Sequence, residues 1–257
     1  MSDEPVVLTE TRGHTLIITL NRPKARNAVN GDVANAVEAA MDRLEEDDDL
    51  WIGVITGNGK VFCAGADLKV VSSGAGNIMT QRGDFAGFVR RERRKPVIAA
   101  LNGDALAGGC EIAIACDLIV GAAGARMGLP EAKRSLLAAA GGLVRLPRLI
   151  GEKMAMEIAL TADPFTVERM YDLGLVNRVV PLDDVLDTAL ELADKINANA
   201  PLAVRGSRSV VTGTRFLNEE EAWAFTLKEM APIFGSEDFQ EGPRSFIEKR
   251  PPKWKGK

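Results

Sequence analysis

The chain has 257 residues, 46% hydrophobic and 26% charged, with a net charge of −4; this is the composition of a globular protein with one large domain or two small ones. The acidic balance excludes a nucleic-acid-binding face over the whole surface, and no apolar run is long enough to span a bilayer. A single histidine, His14, and three cysteines in apolar settings, Cys63, Cys110 and Cys116, exclude Ser–His and Cys–His couples, histidine-rich zinc sites and a disulfide framework.

Met1-Ser2-Asp3-Glu4-Pro5 lacks the basic and apolar stretches of a signal peptide, so a cytoplasmic, reducing setting is expected. Residues 6–10 and 14–20 alternate or run apolar around Arg12-Gly13, which predicts a hairpin. Asn21-Arg22-Pro23-Lys24 breaks that pattern. Val33, Val37, Ala40, Met41 and Leu44 then fall on one face of a helix over 31–46. Asp47-Asp48-Asp49 reads as a solvated turn rather than a metal site. Residues 51–56 form a short apolar strand closed by Gly57-Asn58-Gly59. The small residues Ala64-Gly65-Ala66 permit close backbone approach to a ligand, and Asp67 is placed to cap a helix beginning at Leu68. Ser72-Ser73-Gly74-Ala75-Gly76-Asn77 reads as a flexible loop suited to a lid.

Residues 80–95 read as a helix whose basic end, Arg90-Arg91-Glu92-Arg93-Arg94-Lys95, complements its C-terminal dipole; the other account is a patch that docks phosphates. Residues 96–101 are a buried-type strand and 117–121 another. Between them lies an apolar, helix-compatible run opened by Gly108-Gly109-Cys110-Glu111. After Leu129-Pro130-Glu131 come short helices over 141–150, 152–160 and 166–173, then a last strand over 177–181. Helices follow over 183–199, 202–212, 219–233 and 238–249, with more apolar residues than wholly exposed elements carry. The chain divides into a mixed α/β core, 1–180, and an all-helical region, 181–257, whose apolar faces pack on the core or join subunits. The order strand, strand, helix recurs, which predicts a layered coil of similar units.

Glu111 is the residue least at home in its surroundings. A charge among Cys110, Ile112, Ala113, Ile114 and Ala115 costs several kcal/mol unless it is hydrogen-bonded or paired. It is either a functional carboxylate or a first-turn glutamate favoured by the helix dipole. Glu131, just after Pro130, has the same two accounts. Two carboxylates on separate elements are what a general acid and base require. Backbone N–H groups at a glycine-rich helix start, joined by one from another loop, can stabilise a developing oxyanion; Gly108 and Ala66 are the candidates.

Ala64-Gly65-Ala66-Asp67-Leu68-Lys69, Pro96-Val97-Ile98-Ala99-Ala100-Leu101-Asn102-Gly103, Gly108-Gly109-Cys110-Glu111 and Pro130-Glu131, in this order and spacing, resemble the crotonase (enoyl-CoA hydratase/isomerase) superfamily. Asn21-Arg22-Pro23-Lys24-Ala25-Arg26-Asn27-Ala28 and Glu248-Lys249-Arg250 extend the resemblance over essentially the whole chain. It implies an α/β fold, a crotonase-like coil of repeated ββα units with an all-helical C-terminal trimerisation region. It also implies an acyl-CoA thioester substrate and a homotrimer or dimer of trimers, with no nucleic acid or membrane partner. No metal and no separate cofactor are expected, coenzyme A being part of the substrate.

The family's oxyanion hole falls on Ala66 and Gly108 and its hydratase pair on Glu111 and Glu131. Both carboxylates together favour hydration of a 2-enoyl-CoA. Lys24 and Arg26 match the segment along the nucleotide and pantetheine arm, and Ala64 and Leu68 the adenine-side loop. Gly65, Asp67, Gly109 and Pro130 belong to the same substrate-binding motifs. Phe246 and Lys249 match positions that reach a neighbouring subunit's coenzyme A. Where hydratases carry an Ile-Pro-Gly-Ala-Gly-Gly-like run, this chain has Leu137-Ala138-Ala139-Ala140-Gly141-Gly142, with the Ala139 N–H left to hold the attacking water. Met79, Phe85 and Phe88 are expected to line the acyl pocket. Leu129-Pro130-Glu131-Ala132-Lys133 and the tail from Glu241 to Lys257 are similar to the crotonobetainyl-CoA hydratase (carnitinyl-CoA dehydratase) branch. The alternatives are such a specialised hydratase, a Δ3-Δ2 enoyl-CoA isomerase using Glu131, or a non-catalytic acyl-CoA binder.

Overall fold

The structure, a computed structural model, describes residues 4–74 and 77–257. Met1, Ser2 and Asp3 of the N-terminal stretch, and Ala75 and Gly76 of the expected lid loop, lie outside the described residues. The hairpin forms as expected: β1 (Val7–Arg12) pairs antiparallel with β2 (Thr15–Leu20), and Gly13 turns the chain at φ +54. α1 (Gly31–Glu46) starts where the Asn30 side chain accepts from the Val33 N–H. It buries Val33, Val37, Ala40, Met41 and Leu44 against the sheet, at roughly 1.5–3 kcal/mol for each large side chain.

From here the chain winds as a coil. Each turn lays one strand in a large sheet and one in a small sheet, then a helix. The first turn is β3 (Ile52–Gly57), β4 (Val61–Cys63) and α2 (Leu68–Ser73). A short hairpin of β5 (Met79–Thr80) and β6 (Asp84–Phe85) precedes the second, β7 (Val97–Leu101), β8 (Asp104–Leu106) and α3 (Gly108–Ala115). The third is β9 (Leu118–Ala122), β10 (Arg126–Gly128), a 3-10 turn over Pro130–Arg134, and the helices α4 (Gly142–Ile150) and α5 (Glu152–Thr161). β3, β7 and β9 are parallel neighbours in the large sheet, and β4, β8 and β10 in the small one. Burial of both faces explains why β3 and β7 read as unbroken apolar runs rather than alternating ones. Because each helix follows a small-sheet strand, successive turns stack the loops after β4, β8 and β10 at one edge. Ala66 in the first loop, Gly108 at the start of α3 and Glu131 in the 3-10 turn therefore lie at that edge.

The chain closes with β11 (Phe165–Thr166), α6 (Val167–Asp172), β12 (Arg178–Val180), α7 (Val185–Asn197), α8 (Pro201–Gly213), α9 (Glu219–Phe234) and α10 (Glu237–Ile247). α7 lies across β3, β7 and β9 and buries Val185, Ala189 and Ala193. α9 buries none of its side chains, and Trp223, Leu227 and Phe234 stand exposed on it. No described helix is long and apolar enough to cross a membrane. His14 stacks on Trp51 with ring centroids 3.6 Å apart, a packing role.

One expected helix is absent. Residues 80–95 form the β5–β6 hairpin and a run of turns. Asp84, Ala86 and Gly87 are left-handed (φ 59, 59 and 67), and a Cβ at Gly87 would lie 2.3 Å from the Ala34 carbonyl oxygen. The segment is held flat on α1 by that helix's acidic row. Glu38 Oε1 accepts from the Arg82 and Gly83 N–H groups, Asp42 pairs with Arg82 and Arg91, and Glu45 pairs with Arg94. Lys95 is fully buried and caps α1 instead, its Nζ donating to the Leu44 and Asp47 carbonyls at 2.7 and 2.6 Å.

Candidate active site

The site begins with a close approach of two backbones. Gly65 holds φ +90, and a Cβ there would meet the Ala107 Cβ and the Gly108 nitrogen, each at 2.8 Å. Only glycine lets the loop after β4 lie this tightly on the start of α3. Ala107 itself sits at φ 52, ψ −129, a conformation that costs an alanine about 1–3 kcal/mol. That strain turns the chain abruptly into α3. Val29 bridges the outer side of Ala66: its N–H donates to the Gly65 carbonyl at 2.8 Å and its carbonyl accepts from the Asp67 N–H at 2.9 Å. Among the described residues, neither the Ala66 nor the Gly108 N–H is taken up by a backbone carbonyl. These are the two donors expected for an oxyanion hole.

Asp67 caps α2 as expected, its Oδ1 accepting from the Lys69 N–H at 3.2 Å, while Oδ2 pairs with Arg22 at 3.1 Å. The pair ties the oxyanion loop to the segment that carries Lys24 and Arg26. Asn27, buried in that segment, fixes it further. Its amide donates to the Asn58, Val61 and Phe62 carbonyls, and its Oδ1 accepts from the Arg22 N–H. The Ala64 N–H donates to the Arg26 carbonyl at 3.1 Å. Lys24, Arg26 and Ala64 thereby line one open cleft of about 700 Å³, together with Lys60 and Arg126. Leu68, half exposed, opens α2. Sequence reasoning gave Arg22, Asn27, Lys60 and Arg126 no role of their own, because single polar residues in turns or at a strand start carry no periodic signal.

Glu111 lies in the first turn of α3 and is buried, at 3% exposure. Its Oε1 accepts from the Gly142 N–H at 2.9 Å, and the Ala140 N–H also bonds the carboxylate. Burial raises its pKa, and those two N–H groups with the positive charge of Arg145 oppose the rise. Pro130 starts the 3-10 turn that presents Glu131. Burial, with the Glu111 charge as a lesser cause in the same direction, pushes the Glu131 carboxyl up to about 7. Its Oε2 is buried, with no hydrogen-bond partner among the described residues. The two carboxyls are thus electrostatically coupled, one gripped by backbone donors and the other free to carry a proton. Gly109 lets the first turn of α3 pack on β4: a Cβ there would lie 2.1 Å from the Cys63 carbonyl oxygen.

Two details differ from expectation. The Ala139 N–H donates to the Leu137 carbonyl at 2.8 Å and is not open to water; Ala140 and Gly142 are the loop residues turned toward Glu111. Phe88 is 1% exposed and lies in the core beneath the Arg93 guanidinium, 4.8 Å from its ring centroid, because the turns of residues 80–95 point it inward. Phe85 does face the site, since a Cβ on Gly108 would come within 2.4 Å of its Cζ, while Met79 is exposed. Phe246 and Lys249 stand exposed at and just beyond the end of α10. Arg145, which the sequence did not single out, folds back over Gly141 and donates to the Ala140 and Val89 carbonyls. Cys63, Cys110 and Cys116 are free, and burial raises all three thiols, Cys63 and Cys116 to about 12. Among the described residues no cluster suited to a metal ion is present.

The chain is similar to known proteins along nearly its whole length. Residues 10–257 match the family profile described as enoyl-CoA hydratase/isomerase. The chain is 40% identical over 248 residues to a mevalonyl-coenzyme A hydratase of Aspergillus fumigatus, covering 94% of this chain and 92% of that protein. It is 38% identical to a carnitinyl-CoA dehydratase of Proteus mirabilis, covering 96% and 97%. A crystal structure of an enoyl-CoA hydratase from Mycobacterium tuberculosis superposes with a TM-score of 0.96 at 46% identity, covering 99% of this chain and all of that one.

Proposed function

The chain belongs to the enoyl-CoA hydratase/isomerase family, and from that premise we propose how it works as an enoyl-CoA hydratase, a hydro-lyase acting on an acyl-CoA thioester. The Ala66 and Gly108 N–H groups receive the thioester oxygen. Ionised Glu111 takes a proton from water as the water oxygen bonds to C3. The double-bond electrons move into the thioester as an enolate, whose oxygen gains most from the two donors; one such donor is typically worth about 3–4 kcal/mol. Protonated Glu131 then delivers its proton to C2. Glu111 ends protonated and Glu131 ionised, and the reverse sequence dehydrates a 3-hydroxyacyl-CoA. This chemistry asks for no metal and no separate cofactor, since coenzyme A is part of the substrate.

The observation that supports this reading best is the coupled pair: Glu131 with a carboxyl near 7 and a buried, unpartnered Oε2, beside Glu111 held by the Gly142 N–H. An isomerase would need one carboxylate, and a mere binder neither. The cleft carrying Lys24, Arg26 and Ala64 is the proposed seat of the nucleotide end of coenzyme A, with Gly65, Asp67, Leu68, Gly109 and Pro130 shaping the path to the thioester. The exposed apolar residues of α9 and α10, Trp223, Leu227, Phe234 and Phe246, support assembly through residues 181–257 into a trimer or a dimer of trimers. Phe246 and Lys249 would then reach a neighbour's coenzyme A. Three free cysteines, two of them buried, suit a reducing, cytoplasmic setting.

The test is the loss of conjugated-thioester absorbance of crotonyl-CoA and of branched or longer enoyl-CoAs, with product mass recorded. Turnover that adds water, abolished by Glu111→Gln and by Glu131→Gln, is expected. Binding without turnover on every ester, or turnover without a gain of water, would sink the two-carboxylate hydratase. The relative named carnitinyl-CoA dehydratase favours one second reading, that dehydration of a charged 3-hydroxyacyl-CoA is the preferred direction.

A further inference from the structure

A cavity of about 540 Å³ lies at the far end of α3 from Glu111, between the core and α8, and neither catalytic carboxylate lines it. Its wall carries six arginines: Arg90, Arg91, Arg93, Arg145, Arg208 and Arg215. Within ion-pair distance they meet three carboxylates. Asp84 pairs with Arg90, Asp42 with Arg91, and Asp117 is shared by Arg93 and Arg208. Among the described residues Arg145 and Arg215 have no carboxylate partner. In a chain of net charge −4, this is a local excess of positive charge placed where water is partly excluded.

The crowding is costly. Arg93 and Arg145 are lowered first by burial; Arg208 adds to this at Arg93 against the Asp117 charge, and Arg93, Arg215 and Arg90 add to it at Arg145 against the Glu111 charge. Hydrogen bonding leaves gaps as well. Among the described residues, Arg91 and Arg93, at 8% and 5% side-chain exposure, have buried guanidinium nitrogens without hydrogen-bond partners: Nε and Nη1 of Arg91, and Nη1 of Arg93, which stands 3.7 Å from Asp117 Oδ2. Buried donors left unmatched cost about 1–3 kcal/mol each, more when charged. A folded chain keeps such a cluster at lower cost when something negative enters it.

We propose that this cavity is a binding site for a small oxyanion carrying two or more negative charges, of the phosphate or dicarboxylate class. The guanidinium fork suits bidentate oxygen ligands, and the volume exceeds that of a bare inorganic ion, leaving room for a small organic body. The site is independent of the coenzyme A cleft, which uses Lys24, Arg26, Lys60 and Arg126. It does not rest on the hydratase reading.

The test is calorimetric titration of the full chain with inorganic phosphate and with malonate, alongside sedimentation. Arg215→Glu is the main variant, because Arg215 is exposed and its replacement leaves the core intact; Arg208→Gln is the second. Wild type is expected to take up one equivalent whose affinity falls about tenfold or more in both variants and is unchanged in Lys24→Ala. No uptake by wild type, or uptake that depends on Lys24 and not on Arg215, overturns the site. An Arg215→Glu chain that loses subunit association while wild type binds neither probe also overturns it, because a carboxylate of a second copy would then be what fills the cavity.

Discussion

The Gly142 N–H donates to Glu111 Oε1 at 2.9 Å, so the residue that opens α4 orients the carboxylate in the first turn of α3. A Cβ on Gly142 would stand 3.0 Å from that same oxygen and 2.9 Å from both Leu129 methyls. Gly142→Ala therefore pushes Glu111 and its donor apart without removing either. The expected outcome is a fall in kcat of about tenfold to a hundredfold, with KM and the melting temperature little changed. A variant as active as wild type would show that the orientation of Glu111 is set elsewhere.

Glu111 and Glu131 share a consequence for pH. In the proposed mechanism hydration starts with Glu131 protonated and Glu111 ionised, and dehydration with the reverse, so both directions need one proton on the pair. The profile of kcat/KM is expected to be bell-shaped in both directions with the same two limbs, which belong to the pair rather than to either residue. The alkaline limb should lie near 7, where Glu131 loses its proton, and the acid limb below it but above the ordinary glutamate value, because burial raises Glu111. Initial rates with crotonyl-CoA and 3-hydroxybutyryl-CoA from pH 4 to 10 measure this. Limbs that differ between the two directions would contradict a shared proton.

The large sheet was legible because β3 and β7 are apolar on both faces, and α1 because its stripe recurs with helical spacing. Glu111 was legible because a carboxylate in an apolar run is costly, and Ala66 with Gly108 because small residues flank both. Residues 80–95 were misread for a physical reason: the contacts that hold them are made with Glu38, Asp42 and Glu45 of α1, which lie about forty to fifty positions earlier and leave no local trace. Arg145 and Asn27 act through backbone carbonyls brought close only by folding, and no local pattern announces such partners. The Ala139 N–H was assigned to water by position alone; the local turn to Leu137 consumes it.

Gly108 and Phe85 separate a steric effect from an electrostatic one. Gly108→Ala brings a Cβ to 2.4 Å from Phe85 Cζ, which displaces the ring or tilts the Gly108 N–H. Loss of one oxyanion donor typically costs about a hundred- to a thousandfold in kcat. Phe85→Leu removes the outer ring atoms, so the Gly108→Ala/Phe85→Leu double variant is expected to recover much of the rate. Equal defects in the single and double variants would assign the loss to the Gly108 backbone alone.

Glu131 also links pH to stability. A carboxyl raised from 4.5 to about 7 in the folded chain binds its proton more tightly there than when unfolded. Its favourable contribution is full below the unfolded value and is lost as pH rises through about 7, where the buried charge destabilises the fold. Glu131→Gln is therefore expected to be neutral near pH 4 and stabilising at pH 8 by about 1–3 kcal/mol. Chemical denaturation at both pH values checks this. An equal effect at the two would mean that the carboxyl is not desolvated.

Asn27 offers a test of how the binding segment is anchored. Its side chain satisfies the Asn58, Val61 and Phe62 carbonyls and the Arg22 N–H, and its backbone is left-handed at φ 55, a region that asparagine tolerates better than alanine. Asn27→Ala strands four backbone groups and adds backbone strain, so a loss of about 3 kcal/mol or more is expected. The same change frees the turn bearing Lys24 and Arg26, which should raise KM for the coenzyme A ester several times more than it lowers kcat. Asn27→Asp keeps the acceptor for Arg22 but sets a carboxylate oxygen against three carbonyl oxygens, and should be worse than alanine. Urea midpoints and saturation kinetics on both variants measure this, and an unaltered midpoint for Asn27→Ala would show that the Arg22–Asp67 pair alone holds the segment.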